Sequence, residues 1–136
     1  MSNIDLSQLI TAEAKAETAK ADLLALIAAR RWQAQSAGIV FNGASIDTDR
    51  DAQVTITGAL LAWPEEEGYS VNWKTKDGTF LPVDKAGLQA ILQAGFAYTQ
   101  ACFDREAVLA SRVQDGTYTN AMLNQGWPKR EVGDAA

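Results

Sequence analysis

Apolar residues near the start of the chain recur in alternating steps of three and four. Leu9, Ala12, Ala16, Ala19, Leu23 and Leu26 keep that rhythm, which is the spacing of coiled-coil a and d positions. Ala, Leu, Glu, Lys and Gln dominate from residue 5 to about residue 35, and neither Gly nor Pro interrupts. The stretch therefore reads as one helix, with Asp5 or Ser7 as its cap. Its first half is a thin alanine-lined seam flanked by Glu13, Lys15, Glu17, Lys20 and Asp22. Beyond Leu23 the apolar face widens to take in Leu24, Ile27, Ala28 and Trp32, enough to dock onto a globular body. Alanines bury little area, at about 25 cal/mol per Å². A helix of this kind is marginal alone and calls for a partner.

The pattern then changes period. Gly38 suits a left-handed helix end. Asn42-Gly43 between apolar residues predicts a tight hairpin joining strands at Ile39–Phe41 and Ala44–Ile46. Asp47-Thr48-Asp49 supplies capping chemistry, and Ala52, Ile56, Ala59, Leu60 and Trp63 form one helical stripe. The β-branched run Val54-Thr55-Ile56-Thr57 argues for a strand instead. The stripe is longer than that run, so a helix is expected, ended by Pro64. Tyr69, Val71 and Trp73 alternate with polar residues, Lys76-Asp77-Gly78 is a turn, and Thr79 to Val83 returns as a second strand. Trp73 and Phe80 are expected in the core. Asp84 caps a last long helix, from 85 to about 114, carrying the stripe Leu88, Ile91, Leu92, Gly95, Phe96, Thr99, Cys102, Phe103, Glu106, Leu109 and Val113. Gly95 in that stripe implies a close crossing by the hairpin or the N-terminal helix. In the tail, Ala121-Met122-Leu123 forms a turn of helix, and residues 129–136 are expected to be disordered.

The expected fold class is therefore α+β: a long N-terminal helix, two short β-hairpins and two further helices packed as one small domain. Residues 1–29 form a helical arm for docking or oligomerisation, 30–115 a small α+β module, and 116–136 a partly irregular tail. The candidate interface comprises Leu9, Ala12, Ala16, Ala19, Leu23, Leu26 and Trp127. Trp127 enters as a large aromatic in an irregular segment, the kind of residue that anchors interfaces. Trp32, Trp63 and Trp73 fall on inferred core faces.

Composition narrows the chemistry. The 136 residues carry 12 Lys+Arg against 17 Asp+Glu, a net charge of −5. That opposes nucleic-acid binding, which draws on a basic stripe to displace counterions. The pair Arg30-Arg31 reads as a solvated helix C-terminus. There is no histidine, so the commonest general base and neutral metal ligand is missing. Cys102, the one cysteine, excludes an internal disulfide and reads as a small buried hydrophobe. Asp104 and Glu106 project about 200° apart on a helix and form no acid/base pair. Asp47, Asp49 and Asp51 resemble a calcium loop, but Ala52 and Gly58 stand where its glycine and glutamate belong. Glu65-Glu66-Glu67 reads as a solvated loop. No catalytic, cofactor or metal site is expected. Residues 1–5 lack a basic n-region, so no signal peptide is expected. No apolar run is long enough for membrane insertion.

A family resemblance adds a setting. Arg31-Trp32, Gly38 to Gly43, Asp47-Thr48-Asp49, Gln53 to Ala59, Asn72 to Phe80 and Tyr98 to Glu106 occur in an order that resembles a phage-encoded domain family of unknown function. The resemblance covers roughly residues 30–115. Members of that family are similar to segments of tailed-bacteriophage tail-fibre, baseplate and tail-assembly proteins. The resemblance implies a setting, the phage tail, and the first expectation is a structural tail component, made in the host cytoplasm and located in the virion. Its partners would be other phage tail proteins and further copies of itself in a homo-oligomer or symmetric assembly. It implies no enzymatic activity. A tail-fibre assembly chaperone left out of the virion is the alternative, and a carbohydrate-binding or hydrolytic domain a third.

Overall fold

A computed structural model describes residues 6–132, with side chains from Thr11 onward. The cap expected at Asp5 or Ser7, the Leu9 side chain, the first five residues and residues 133–136 lie outside the described residues. The architecture is a small α+β domain, with three α-helices and two small sheets among the described residues.

Helix α1 (Leu6–Ser36) and helix α3 (Lys85–Asp115) run antiparallel and form the frame. Ile27 packs with Leu109 and Val113, Arg31 bonds Glu106, and the Tyr98 hydroxyl donates to the carbonyl of Ala34. Strands β1 (Ile39–Phe41) and β2 (Ala44–Ile46) pair antiparallel across Asn42-Gly43. Both turn residues have positive φ, +50° and +83°, which matches the strands' twist. Helix α2 (Arg50–Leu61) starts at Asp49, whose carboxylate accepts from the Ala52 amide at 2.8 Å. The β-branched run thus lies in a helix, where Ile56 reaches the core and Val54, Thr55 and Thr57 face out. Strands β3 (Val71–Lys74) and β4 (Phe80–Val83) form the second hairpin, with Trp73 opposite Leu81. Asp84 caps α3 through the Gly87 amide at 2.7 Å, and Gly116 ends it in the left-handed conformation.

The main core gathers Ile39 and Ile46 from the first sheet, Ile56 from α2, Val83 from β4, and Leu88, Ile91, Tyr98 and Cys102 from α3. Trp63 and Trp73 pack against it, as their stripes predict. A second cluster of Ile27, Leu109 and Val113 takes Leu23, Leu24, Tyr118, Met122 and Leu123 at its edge.

Four expectations are corrected. Trp32 is 57 % exposed, because it sits about 140° around α1 from the buried Ile27. Phe80 is 64 % exposed, because strand alternation turns it away while Leu81 faces in. The neighbour crossing Gly95 is Thr48, in the β2–α2 connection, whose methyl lies 3.1 Å from where a Cβ would stand; neither the hairpin nor α1 fills that place. Residues 129–132 are ordered: Glu131–Val132 form β5, which pairs parallel with β1, and the Val40 amide donates to the Arg130 carbonyl at 2.8 Å. A two-residue strand carries no periodicity, so no sequence pattern announces it. The helical turn expected at residues 121–123 is a 3-10 helix, Asn120–Asn124.

Candidate interaction surface

Helix α1 is longer than the body it serves. The pairing of Ile27 with Leu109 and Val113 places the end of α3 level with about residue 21 of α1. Gly116 then turns the chain away. Beyond that level no other element among the described residues packs on α1, and every residue from 11 to 19 is exposed. Ala12, Ala16 and Ala19 therefore lie open along the arm. Leu26 continues the row on the body and is 45 % exposed. Leu23 belongs partly to the body, packed on the Ile27 cluster. The acidic and basic residues Glu13, Lys15, Glu17 and Asp22 are exposed beside the row, and Lys20 is half-buried.

Trp127 stands elsewhere. It is half-buried and touches both hydrophobic clusters. Its indole Nε1 donates to the Leu123 carbonyl at 2.7 Å, and the Arg30 guanidinium lies 5.1 Å from the ring centre. The structure does not bring it onto the arm's surface; it straps the C-terminal segment to the body.

The pair Arg30-Arg31 is not a solvated helix end: Arg31 lies in the α1–α3 interface, and Arg30 reaches the C-terminal segment. Arg31 Nε donates to Glu106 at 2.8 Å, its Nη1 donates to Gln35 at 2.7 Å, and its plane lies 4.5 Å from the Phe103 ring centre. Arg30 Nε donates to Asn124 at 3.0 Å. The cations at the true C-terminus of α1 come from far along the chain. Lys76 Nζ bonds the Ser36 carbonyl at 2.9 Å, and Arg130 bonds the carbonyls of Ala37 and Gly38 at 2.8 and 3.0 Å. They satisfy orphan carbonyls at the negative end of the helix dipole. Sequence distance hides both.

The titratable groups are built for structure. Burial pushes the Cys102 thiol up, so it stays protonated, and burial also carries the neighbouring Tyr98 hydroxyl up to about 12. Asp49 is occupied as a cap, and Asp47 lies 3.4 Å from Lys76 Nζ. Among the described residues, no group of three His, Cys, Asp or Glu is placed to hold a metal ion. Two surface depressions have distinct linings. One of about 540 Å³ runs along the outer face of α2, past Val54, Gly58 and Leu61. The other, about 340 Å³, lies between Trp32, Gln35, Asp47, Asp49 and Arg50.

The sequence profile of a domain of unknown function, DUF4376, matches residues 18–124. The chain belongs to the DUF4376 family. The DUF4376 span opens within the arm and runs through the 3-10 helix, so it takes in α1 from residue 18 onward, both hairpins and all of α3. Ala12 and Ala16 precede it; Ala19, Leu23 and Leu26 fall inside it, and Trp127 follows it. No curated protein and no solved structure matches the chain. Among the described residues, no helix is long and apolar enough to cross a membrane.

Proposed function

We propose that this chain is a structural component of a bacteriophage tail, at the tail fibre, baseplate or tail tip, and that it acts through protein–protein contacts. The observation that carries the mode of action is the arm. Residues 11–19 are all exposed beyond the end of α3, although a lone alanine-rich helix is marginal in water. What supports the tail setting is the ordered set of motifs that resembles phage tail proteins. On this reading the arm docks into the assembly, beside other tail proteins and symmetric copies of the chain, and the α+β body stands as a knob at its surface. Mass spectrometry of purified virions tests the reading. Stoichiometric copies are expected. Absence from particles with abundance in the lysate would replace it with the assembly-chaperone role.

One observation favours a second reading, glycan binding. Trp32 offers an exposed indole beside the carboxylates of Asp47 and Asp49, the Gln35 amide and Arg50. An apolar ring bordered by convergent polar groups is the make-up of a small-molecule cleft. Glycan-array binding by the full chain that is lost in Trp32→Ala supports it, and no binding by the wild type retires it.

A further inference from the structure

We propose that the arms of two copies pair antiparallel, in a single register, about a twofold axis passing between residues 17 and 18 of each helix. The proposal rests on the arm being the assembly surface, and it adds the partner and the geometry.

The a and d positions are Leu9, Ala16 and Leu23, and Ala12, Ala19 and Leu26. The flanking e positions are then Glu13 and Lys20, and the g positions Lys15 and Asp22. In a parallel pair, g of one helix faces the next e of the other. That sets Lys15 against Lys20 of the second copy, twice by symmetry. An antiparallel pair brings e against e and g against g. With Ala16 level with Ala19 of the second copy, Glu13 faces Lys20 and Lys15 faces Asp22, each pair occurring twice. Sliding one helix by a heptad in one direction sets Glu13 against Glu13 and Lys15 against Lys15. Sliding it in the other sets Lys20 against Lys20 and Asp22 against Asp22. One alignment alone is charge-complementary, and it is self-complementary, as a twofold interface must be.

The same register fits the body. It brings residue 9 of one helix level with Leu26 of the other, so the pairing covers the exposed leucine at the base of the arm. Ala12 comes level with Leu23. Each body reaches up α1 only to about residue 21, so the bodies sit on opposite sides of the axis, roughly 10 Å apart along it at their nearest ends. The central layer, Ala16 against Ala19, lets the helix axes approach closely, which a body-to-body contact on the same side would obstruct.

Sedimentation equilibrium of the full chain reads the geometry through the sign of one substitution. The wild type is expected to show a monomer–dimer equilibrium. Lys20→Glu sets a second carboxylate against Glu13, twice in the antiparallel pair, and is expected to weaken dimerisation about tenfold. Glu13→Lys, at an exposed position, is expected to do the same. The double variant E13K/K20E restores the wild-type constant. In a parallel pair Lys20→Glu would instead convert Lys15–Lys20 repulsion into attraction and tighten the dimer. Tightening by Lys20→Glu overturns the antiparallel register while leaving the arm as an assembly surface. A wild type that stays monomeric at about 1 mM overturns self-pairing, whereas the tail role stands or falls separately on the virion composition.

Discussion

The carbonyl oxygen of Ile46 occupies the space that a side chain on residue 38 would need. Gly38 has φ +73°, and a Cβ built there would overlap that oxygen. The left-handed turn and the closeness of the two chain segments together let α1 hand over to β1 directly beside β2. Gly38→Ala is therefore expected to cost about 2–4 kcal/mol, adding the left-handed penalty to a clash with backbone that cannot swing aside. Urea unfolding of the variant at unchanged m-value measures it.

Arg31 and Glu106 tie α1 to α3 with most of both side chains shielded from water. A double-mutant cycle on Arg31→Ala and Glu106→Ala is expected to give a coupling of about 1 kcal/mol. Arg31→Ala alone should cost more than Glu106→Ala, because it also removes the contacts to Gln35 and Phe103. Equal single costs with no coupling would show that the bridge is incidental.

Residues that act within one element were legible in the sequence. The caps Asp49 and Asp84, the Asn42-Gly43 turn and the core positions Ile56, Leu88 and Ile91 follow from local spacing and turn chemistry alone. Tyr98 escaped the stripe because its role depends on Ala34, sixty-four positions earlier. Arg130, Lys76 and β5 escaped for the same reason: each completes a group left open by a distant segment. Trp32 lies outside the core because periodicity fixes which residues share a face but not how wide a face the neighbours cover, and Phe80 because an apolar residue in a short strand does not itself say which of the two faces is the inner one. The alanine seam was visible from spacing. That it stands clear of the body depends on where α3 stops.

Gly58 lies in the last turn of α2, and a Cβ there would meet nothing within 4 Å. No packing among the described residues explains a glycine at this position. Gly58→Ala is expected to raise stability by about 0.5–1 kcal/mol through helix propensity, read as a shift in urea midpoint. Destabilisation would reveal a constraint on α2 that the described residues do not show.

Stability should fall at both extremes of pH, for different reasons. Hydrogen bonds from the Thr75 and Thr79 hydroxyls and the Thr79 amide hold the Asp77 carboxyl below its ordinary value, and Thr117 does the same for Asp115. Their folded values are depressed, so this contribution is present above the ordinary carboxylate value and is lost as pH falls through the folded one. Tyr98 is raised to about 12, chiefly by burial. Its contribution is complete below the ordinary tyrosine value of about 10 and is lost as pH rises toward 12. Unfolding midpoints followed across pH should show an acid limb shallower in Asp77→Ala and an alkaline limb shallower in Tyr98→Phe. Limbs that match the wild type would contradict both assignments.

The account turns on the arm's being a contact surface and not a support for the body. Because Ala12, Ala16 and Ala19 are exposed, replacing all three by Glu should leave the fold intact while blocking any helix from seating on them. The direct measurement is the mass of the full chain in solution, by sedimentation, for wild type and for A12E/A16E/A19E, with unfolding midpoints recorded alongside. The account predicts a two-chain species for the wild type, one chain for the triple variant, and equal unfolding midpoints for the monomeric forms. The same mass for both proteins would contradict self-pairing through the arm, and a variant that unfolds far more easily as a monomer would contradict the arm's standing clear of the body.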